Sequence, residues 1–292
     1  MLEYDYPLFR PPAEANNIII QVTYGCSYNN CSFCSMYKTK SYEVRDFKSL
    51  QNDIDALATL YPDASKVFLA DGDALSIKTE YLIKILQYLQ IKFPKLKRVS
   101  LYGSTQNIVS KSKEEFAQLV ENRLTLIYYG VETGSEIVLK KITKGVSQKE
   151  IITSLNLASL AGMKISATVI LGIGGKIHSN EHIEQTAIVI NKTTVNYLST
   201  LQLGLEEEVK ENFYTHFKDF EPLDDRELLQ EQKYFLELLN PINRIIFRSN
   251  HASNALHLAG NLPRDSKRLI GEIITALQKG ENSFVPQFLR GF

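Results

Sequence analysis

The feature that most constrains this chain is a repeated alternation of short β-rich runs with helix-length amphipathic segments. Apolar, β-branched runs fall at 17–24, 66–70, 97–102, 125–130, 164–171, 195–203 and 244–248. Helical patterns lie between them near 46–60, 78–92, 112–122, 147–161 and 180–192. In Tyr81-Leu82-Ile83-Lys84-Ile85-Leu86-Gln87-Tyr88-Leu89 the apolar positions recur at the spacing of one helix face. Asn122 and Gly162 close such segments and Pro94 follows one, the usual punctuation of helix C-termini. Strand–helix alternation predicts parallel strands joined by right-handed crossovers. Two later helices, about 224–239 and 265–279, are expected to cap the barrel or cover an edge.

In a parallel α/β barrel, ligands are met by the loops that leave the C-terminal ends of the strands. Every such end here carries an unusual segment. The first run leads into Tyr24-Gly25 and a cysteine loop, the second into Asp71-Gly72-Asp73, and the third into Gly103-Ser104-Thr105-Gln106. The fourth ends in Gly130-Val131-Glu132-Thr133-Gly134-Ser135 and the fifth in Gly172-Ile173-Gly174-Gly175. The last opens Arg248-Ser249-Asn250-His251-Ala252-Ser253-Asn254. Turns alone do not require carboxylates beside glycines so repeatedly, so one rim is expected to be functional.

All three cysteines of the chain, Cys26, Cys31 and Cys34, stand within nine residues, spaced C-x4-C-x2-C, with Phe33 before the last. An odd count confined to one loop argues against a disulfide framework. Three soft thiolates suit three irons of a [4Fe–4S] cluster, leaving the fourth iron open for chemistry. Zinc with a histidine as fourth ligand is the alternative, although none of His178, His182, His216, His251 and His257 has a finger-like spacing from the cysteines. His178 and His182 stand four apart, but Ser179 or Asn180 is expected to cap the helix there, giving a solvated helix start. Glu206-Glu207-Glu208 reads as a solvated loop or helix start.

These residues resemble the radical S-adenosylmethionine (radical SAM) superfamily over about 17–205. The usual superfamily motif is C-x3-C-x2-C, and this chain has one extra residue between Cys26 and Cys31. Asp71-Gly72-Asp73 is similar to the segment whose backbone and carboxylate hold the methionine amino group. The Gly130–Ser135 segment followed by Lys144-Gly145 is similar to one that contacts the ribose or methionine part, and Ile170–Gly175 to one that packs along the adenine. The resemblance implies a partial (β/α)6-type parallel barrel, a [4Fe–4S] cluster held by Cys26, Cys31 and Cys34, and S-adenosylmethionine near Phe33, Gly72, Asp73, Ser104, Glu132, Gly134, Ser135, Ile173 and Gly174. It implies an N-terminal extension over 1–16, a core over 17–205 and a C-terminal extension over 206–292 that caps the barrel and contributes to the substrate site. It implies reductive cleavage to a 5′-deoxyadenosyl radical that abstracts hydrogen from a small organic substrate, with an electron donor such as flavodoxin or ferredoxin.

Substrate contact is expected from Arg248, Asn250, His251 and Asn254, with Tyr37 and Tyr102 facing the same cavity. Arg248 suits a carboxylate or phosphate, and His251 can move a proton. With no further cysteine, a second cluster or a methylated-cysteine intermediate is disfavoured. The 33 basic and 33 acidic residues leave no formal net charge, hence no global pull toward nucleic acid or anionic membrane. No apolar stretch reaches the roughly 20 residues of a membrane span. The N-terminus lacks a secretory pattern, so a reducing cytoplasm and anaerobic chemistry are expected. Two other readings stay open: a non-catalytic iron–sulfur or electron-transfer protein, and a zinc-binding nucleic-acid module.

Overall fold

The computed structural model describes residue 2 and residues 4–291, which fall into two compact units. The first comprises residues to Asn29 with Cys34–Tyr129 and Leu157–Ile165, and the second Asn30–Phe33, Gly130–Asn156 and the chain from Ser166. The first unit opens with β1 (Ile18–Gln21), β2 (Thr23–Tyr24) and β3 (Glu43–Val44), then α1 (Phe47–Leu60), β4 (Lys66–Ala70) and α2 (Thr79–Lys92). It continues with β5 (Arg98–Tyr102), α3 (Thr105–Val109), α4 (Lys113–Glu121) and most of β6 (Leu124–Glu132). β4 pairs in parallel with β1 and β5, and β5 with β6. Val67, Phe68, Leu69 and Ala70 are all fully buried. Such an unbroken apolar run is what a parallel strand covered on both faces requires.

Side chains define the helix starts locally. Asp46 accepts from the backbone N–H groups of Lys48 and Ser49 to cap α1, and Ser112 with Glu115 forms a capping box on α4. β2 and β3 form a short antiparallel ribbon, with Thr23 opposite Val44 and Tyr24 opposite Glu43. The cysteines lie in the loop between these two strands.

α5 (Glu136–Lys141), α6 (Gln148–Leu160), β7 (Lys164–Leu171), α7 (Gly175–Asn191), β8 (Tyr197–Gln202) and α8 (Glu207–His216) follow. The chain ends with α9 (Asp225–Leu238), β9 (Ile245–Ser249), β10 (Leu258–Leu262) and α10 (Ser266–Lys279). β8 is parallel to β7 and to β9, whereas β10 runs antiparallel to β9, with Leu258 opposite Ser249 and Leu262 opposite Ile245. The class is α/β with mostly parallel strands, as the alternation predicts. Among the described residues no helix is long and apolar enough to cross a membrane.

The structure departs from the sequence reading in several elements: the expected strand 17–24 divides into β1 and β2, and β3 and the full length of α8 were not expected. β10 was not expected, because Ala259-Gly260-Asn261 at its centre carry little β propensity. The short helices α3 and α5 follow strand ends directly, with no long periodic pattern to reveal them. α7 begins at Gly175, about five residues earlier than expected, so His178 and His182 are both helical. His182 is fully buried rather than a solvated helix start.

Candidate functional site

In the first unit the two aspartates after β4 have different surroundings. Asp71 Oδ2 accepts from Gln21 Nε2 at 2.9 Å, from Lys40 Nζ at 2.9 Å and from Gly25 N–H at 3.3 Å. Burial pushes the Asp71 carboxyl up, while Lys40 and Gln21 pull it back. Because Gly25 and Lys40 bracket the cysteine loop, Asp71 ties its two ends to the end of β4. Asp73 is 1% exposed. It accepts from Ser27 Oγ at 2.7 Å, from Ser104 N–H at 3.3 Å and from the Asn107 amide. Desolvation raises its pKa, and those donors hold it partly down. Between the aspartates, Gly72 makes room: a Cβ there would lie 2.5 Å from the Tyr37 ring and 3.0 Å from Cys26 Cβ. Ser104 caps α3 by accepting from Asn107 N–H.

Cys26, Cys31 and Cys34 are partly exposed thiols. Among the described residues, no three His, Cys, Asp or Glu side chains are placed to hold one metal ion. A four-iron cube has a different requirement, since each thiolate takes its own iron and the sulfurs stand around the cube. Three soft donors, each partly exposed and all on one short loop, fit that group.

In the second unit Phe33 packs on a cluster that includes Val138, Ile142, Ile170, Ile173 and Phe213, and Ser32 N–H donates to the Ile142 carbonyl at 3.0 Å. Glu132 adopts φ +60°, a conformation that costs a non-glycine residue roughly 1–2 kcal/mol. Strain of this kind concentrates at functional sites. Its carboxylate folds over Gly130, where a Cβ would lie 1.9 Å from Oε1, and it pairs with Lys144 Nζ at 3.2 Å. Ser135 caps α5 and also bonds Glu181. Gly134 donates its N–H to Thr186 Oγ1 at 2.8 Å. A Cβ at Gly134 would lie 2.3 Å from the Gln185 carbonyl oxygen, which is backbone of α7 and cannot swing away. Gly134→Ala is therefore expected to destabilise the protein by about 1–3 kcal/mol in urea unfolding. Unchanged stability would show that α7 does not press on this turn.

The expected substrate residues are scattered in environment. Tyr37 is buried with its hydroxyl unpartnered, and burial pushes that phenol far up. Tyr102 is partly exposed and meets Phe68 edge-on at 5.1 Å; burial raises its pKa too. Arg248 and Asn250 are exposed. His251 Nδ1 lies 2.8 Å from Ser253 Oγ, and desolvation lowers its pKa. Asn254 is 1% exposed and saturated: its oxygen accepts from Gln202 N–H at 2.9 Å, and its amide donates to the Thr200 carbonyl and Ser249 Oγ, each at 2.9 Å. Its side chain is spent on shaping the connection from β9 to β10.

Lys40, Asn107, Gln21, Thr186, His182 and Glu231 were missed as partners of these residues. Most lie 30 or more positions from the groups they support, and no local motif marks them. His182 and Glu231, both buried, titrate in opposite senses. Burial pushes His182 down to about 3, against a smaller upward pull from the Ile170 backbone. Burial pushes Glu231 up to about 7, against hydrogen bonds from Ser179 and Gly172 N–H. Lys176, Glu227 and Tyr234 are the other titratable groups near Glu231. Folding releases a proton from His182 between about pH 3 and 6.5, so that group makes stability rise with pH. It takes one up at Glu231 between about pH 4.5 and 7, so that group makes stability fall. Near pH 5.5 the two slopes, each up to about 1.4 kcal/mol per pH unit, cancel. Relative to wild type, the stability of Glu231→Gln is expected to rise with pH between about 4.5 and 6.5 in denaturation experiments, and that of His182→Asn to fall. Parallel profiles for both variants would contradict this.

A family model described as the Radical SAM superfamily matches residues 20–189. A protein of Methanocaldococcus jannaschii named as a methylthiotransferase is 23% identical over 164 residues, covering 53% of this chain and 35% of that protein. The heme chaperone of Bacillus subtilis is 26% identical over 168 residues, covering 55% of this chain and 44% of its own length. The chain thus spans less than half the length of either curated relative. Among solved structures, coproporphyrinogen III oxidase of Escherichia coli superposes with a TM-score of 0.57 at 13% identity, over 76% of this chain and 52% of that one. That likeness is one of fold.

Proposed function

The chain belongs to the radical SAM superfamily, and on that premise we propose that Cys26, Cys31 and Cys34 hold its [4Fe–4S] cluster and that residues 17–205 form the catalytic core. When bound, the reduced cluster and S-adenosylmethionine together supply a 5′-deoxyadenosyl radical that takes hydrogen from a carbon of a small organic substrate. The observation that carries this reading is the run of three thiols in the one loop between β2 and β3, inside the region matched by the family model.

The chain's own residues then have separable tasks. Asp73, buried among Ser27, Ser104 and Asn107, accepts from an ammonium group through a charge-assisted bond. Gly72 keeps Tyr37 and Cys26 close by lacking a side chain. Glu132, held by Lys144 in its strained conformation, offers carboxylate oxygen to ribose or methionine groups. Phe33 and Ile173 supply apolar surface for an adenine ring. Gly134, Ser135 and Gly174 shape the turns around these contacts. The segment 206–292 carries Arg248, Asn250 and His251, which offer polar groups to a substrate, while Asn254 fixes their connection. In the first unit Tyr37 and Tyr102 are the proposed substrate contacts. Flavodoxin or ferredoxin supplies the electron, in a reducing cytoplasm.

Anaerobic reconstitution with iron and sulfide is expected to give a brown protein carrying about four irons per chain. After reduction it releases 5′-deoxyadenosine from S-adenosylmethionine. A folded, colourless, iron-poor protein after the same treatment would overturn the proposal.

A further inference from the structure

The second unit contains a buried polar line that none of the roles above uses. Ser135 N–H donates to Thr133 Oγ1 at 3.0 Å, and Thr133 Oγ1 lies 2.7 Å from His182 Nδ1. Thr133 Oγ1 already accepts from Ser135 N–H, and a Thr133 O–H directed at His182 Nδ1 places the proton of the neutral imidazole on Nε2. That nitrogen is buried, makes no well-formed hydrogen bond although the Ile170 backbone is close enough to favour its protonation, and stands 4.0 Å from Glu231 Oε1. Glu231 Oε1 in turn accepts from Gly172 N–H at 2.6 Å, and Oε2 bonds Ser179. Two sets of hydrogen bonds, one joining the turn after β6 to His182 and one joining the turn after β7 to Glu231, thus converge where the imidazole packs against the carboxyl.

We propose that His182 and Glu231 are positioning residues, a buried pair that locks the 132–135 turn to the Gly172–Gly175 turn and so fixes Glu132 and Ile173 for cofactor binding. This rests on the reading that those two turns hold S-adenosylmethionine. Three features support it. Both turns are conformationally demanding, with Glu132 at φ +60° and Gly172 at φ +79°, and such turns need external support to persist. Backbone N–H groups of both turns are satisfied by this line, Ser135 through Thr133 and Gly172 through Glu231. Apolar groups would fill the same interior at lower desolvation cost, so an imidazole and a carboxyl there are explained by their directed hydrogen bonds. Glu231 also lines a cleft of about 330 Å³ between α7 and α9, beside Lys176, Ser179, Glu227 and Tyr234, while His182 lies fully inside.

Amide hydrogen exchange on the cluster-free protein tests the lock independently of any reaction. His182→Leu and Glu231→Leu are expected to speed exchange at least tenfold at the amides of 133–135 and 172–174. The amides of β4 should remain unaffected. In reconstituted enzyme the same variants are expected to raise the KM for S-adenosylmethionine about tenfold, with kcat within twofold of wild type. Glu231→Gln keeps the acceptor for Gly172 N–H and should restore both readouts to within twofold. His182→Asn, which retains an acceptor for Thr133, should keep 133–135 protected, and serves if the leucine variant does not fold. Unchanged exchange in folded leucine variants would overturn the proposal, as would tenfold faster exchange at 133–135 in His182→Asn. Glu231→Gln as impaired as Glu231→Leu would also overturn it, pointing to proton transfer. Faster exchange in the leucine variants with an unchanged KM would retain the lock and refute the cofactor reading of these turns.

Discussion

Cys34→Ala protein, reconstituted and reduced without oxygen, is expected to release at least about 100-fold less 5′-deoxyadenosine than wild type. Loss of a mere supporting partner of a metal ligand commonly costs 10–100-fold, and loss of the ligand itself should cost more. The substitution is informative because it is structurally mild. Cys34 is only partly buried, so alanine leaves no large interior cavity and the apo-protein should unfold at nearly the wild-type temperature. Cys26→Ala and Cys31→Ala are expected to match it, since each thiolate would serve a different iron. Equal product from wild type and Cys34→Ala, at equal iron content, would remove the cysteine loop from the chemistry. Retained iron with lost product would instead place Cys34 outside the ligand set but inside the reaction.

Asp73→Asn is the second large effect. In the proposed role the carboxylate meets an ammonium group, and hydrogen bonds to charged groups are worth about 1.5–3 kcal/mol. The KM for S-adenosylmethionine should therefore rise about 10- to 150-fold. Asparagine keeps the volume and one oxygen for Ser104 N–H, but turns an NH2 group toward Ser27 or Asn107, which already donate. Asp73→Leu removes every carboxylate acceptor; exposed Ser27 can turn to water and the Asn107 amide keeps Ser104 Oγ, but Ser104 N–H loses its partner. A destabilisation of about 1–3 kcal/mol is therefore expected beside the loss of the ammonium contact. A KM for Asp73→Asn within twofold of wild type would assign Asp73 to structure alone. In that case its task is to hold Ser27 of the cysteine loop against Ser104 and Asn107 of the next strand end.

Much of this was legible in one dimension because it depends on short-range pattern. The period of the Thr79–Lys92 helix, the apolar run of β4 and the spacing of the cysteines are local, and the structure keeps the first two within a residue or two of expectation. Asp71-Gly72-Asp73 was recognised as one segment, yet its halves serve different ends. Asp71 pairs with Lys40, 31 residues away, and Asp73 gathers Ser27 and Asn107, 46 and 34 residues away. His182 is the sharper case. Its neighbours in sequence, His178, Ser179 and Asn180, suggest a polar helix start. The early turn at Gly172–Gly175 begins α7 sooner and places His182 fully inside.

The sequence by itself determined the α/β class, the strand ends that carry glycines and carboxylates, and a cysteine spacing suited to one iron–sulfur cluster. Each follows from residue type and local periodicity, which act over a few positions and survive without knowledge of the fold. Only the tertiary structure decided which polar groups are buried and what satisfies them: Asp71 with Lys40, Glu132 over Gly130, and His182 facing Glu231. The physical reason is desolvation. Its cost is set by everything that packs around a group, and that packing brings together residues separated by tens of positions in the chain.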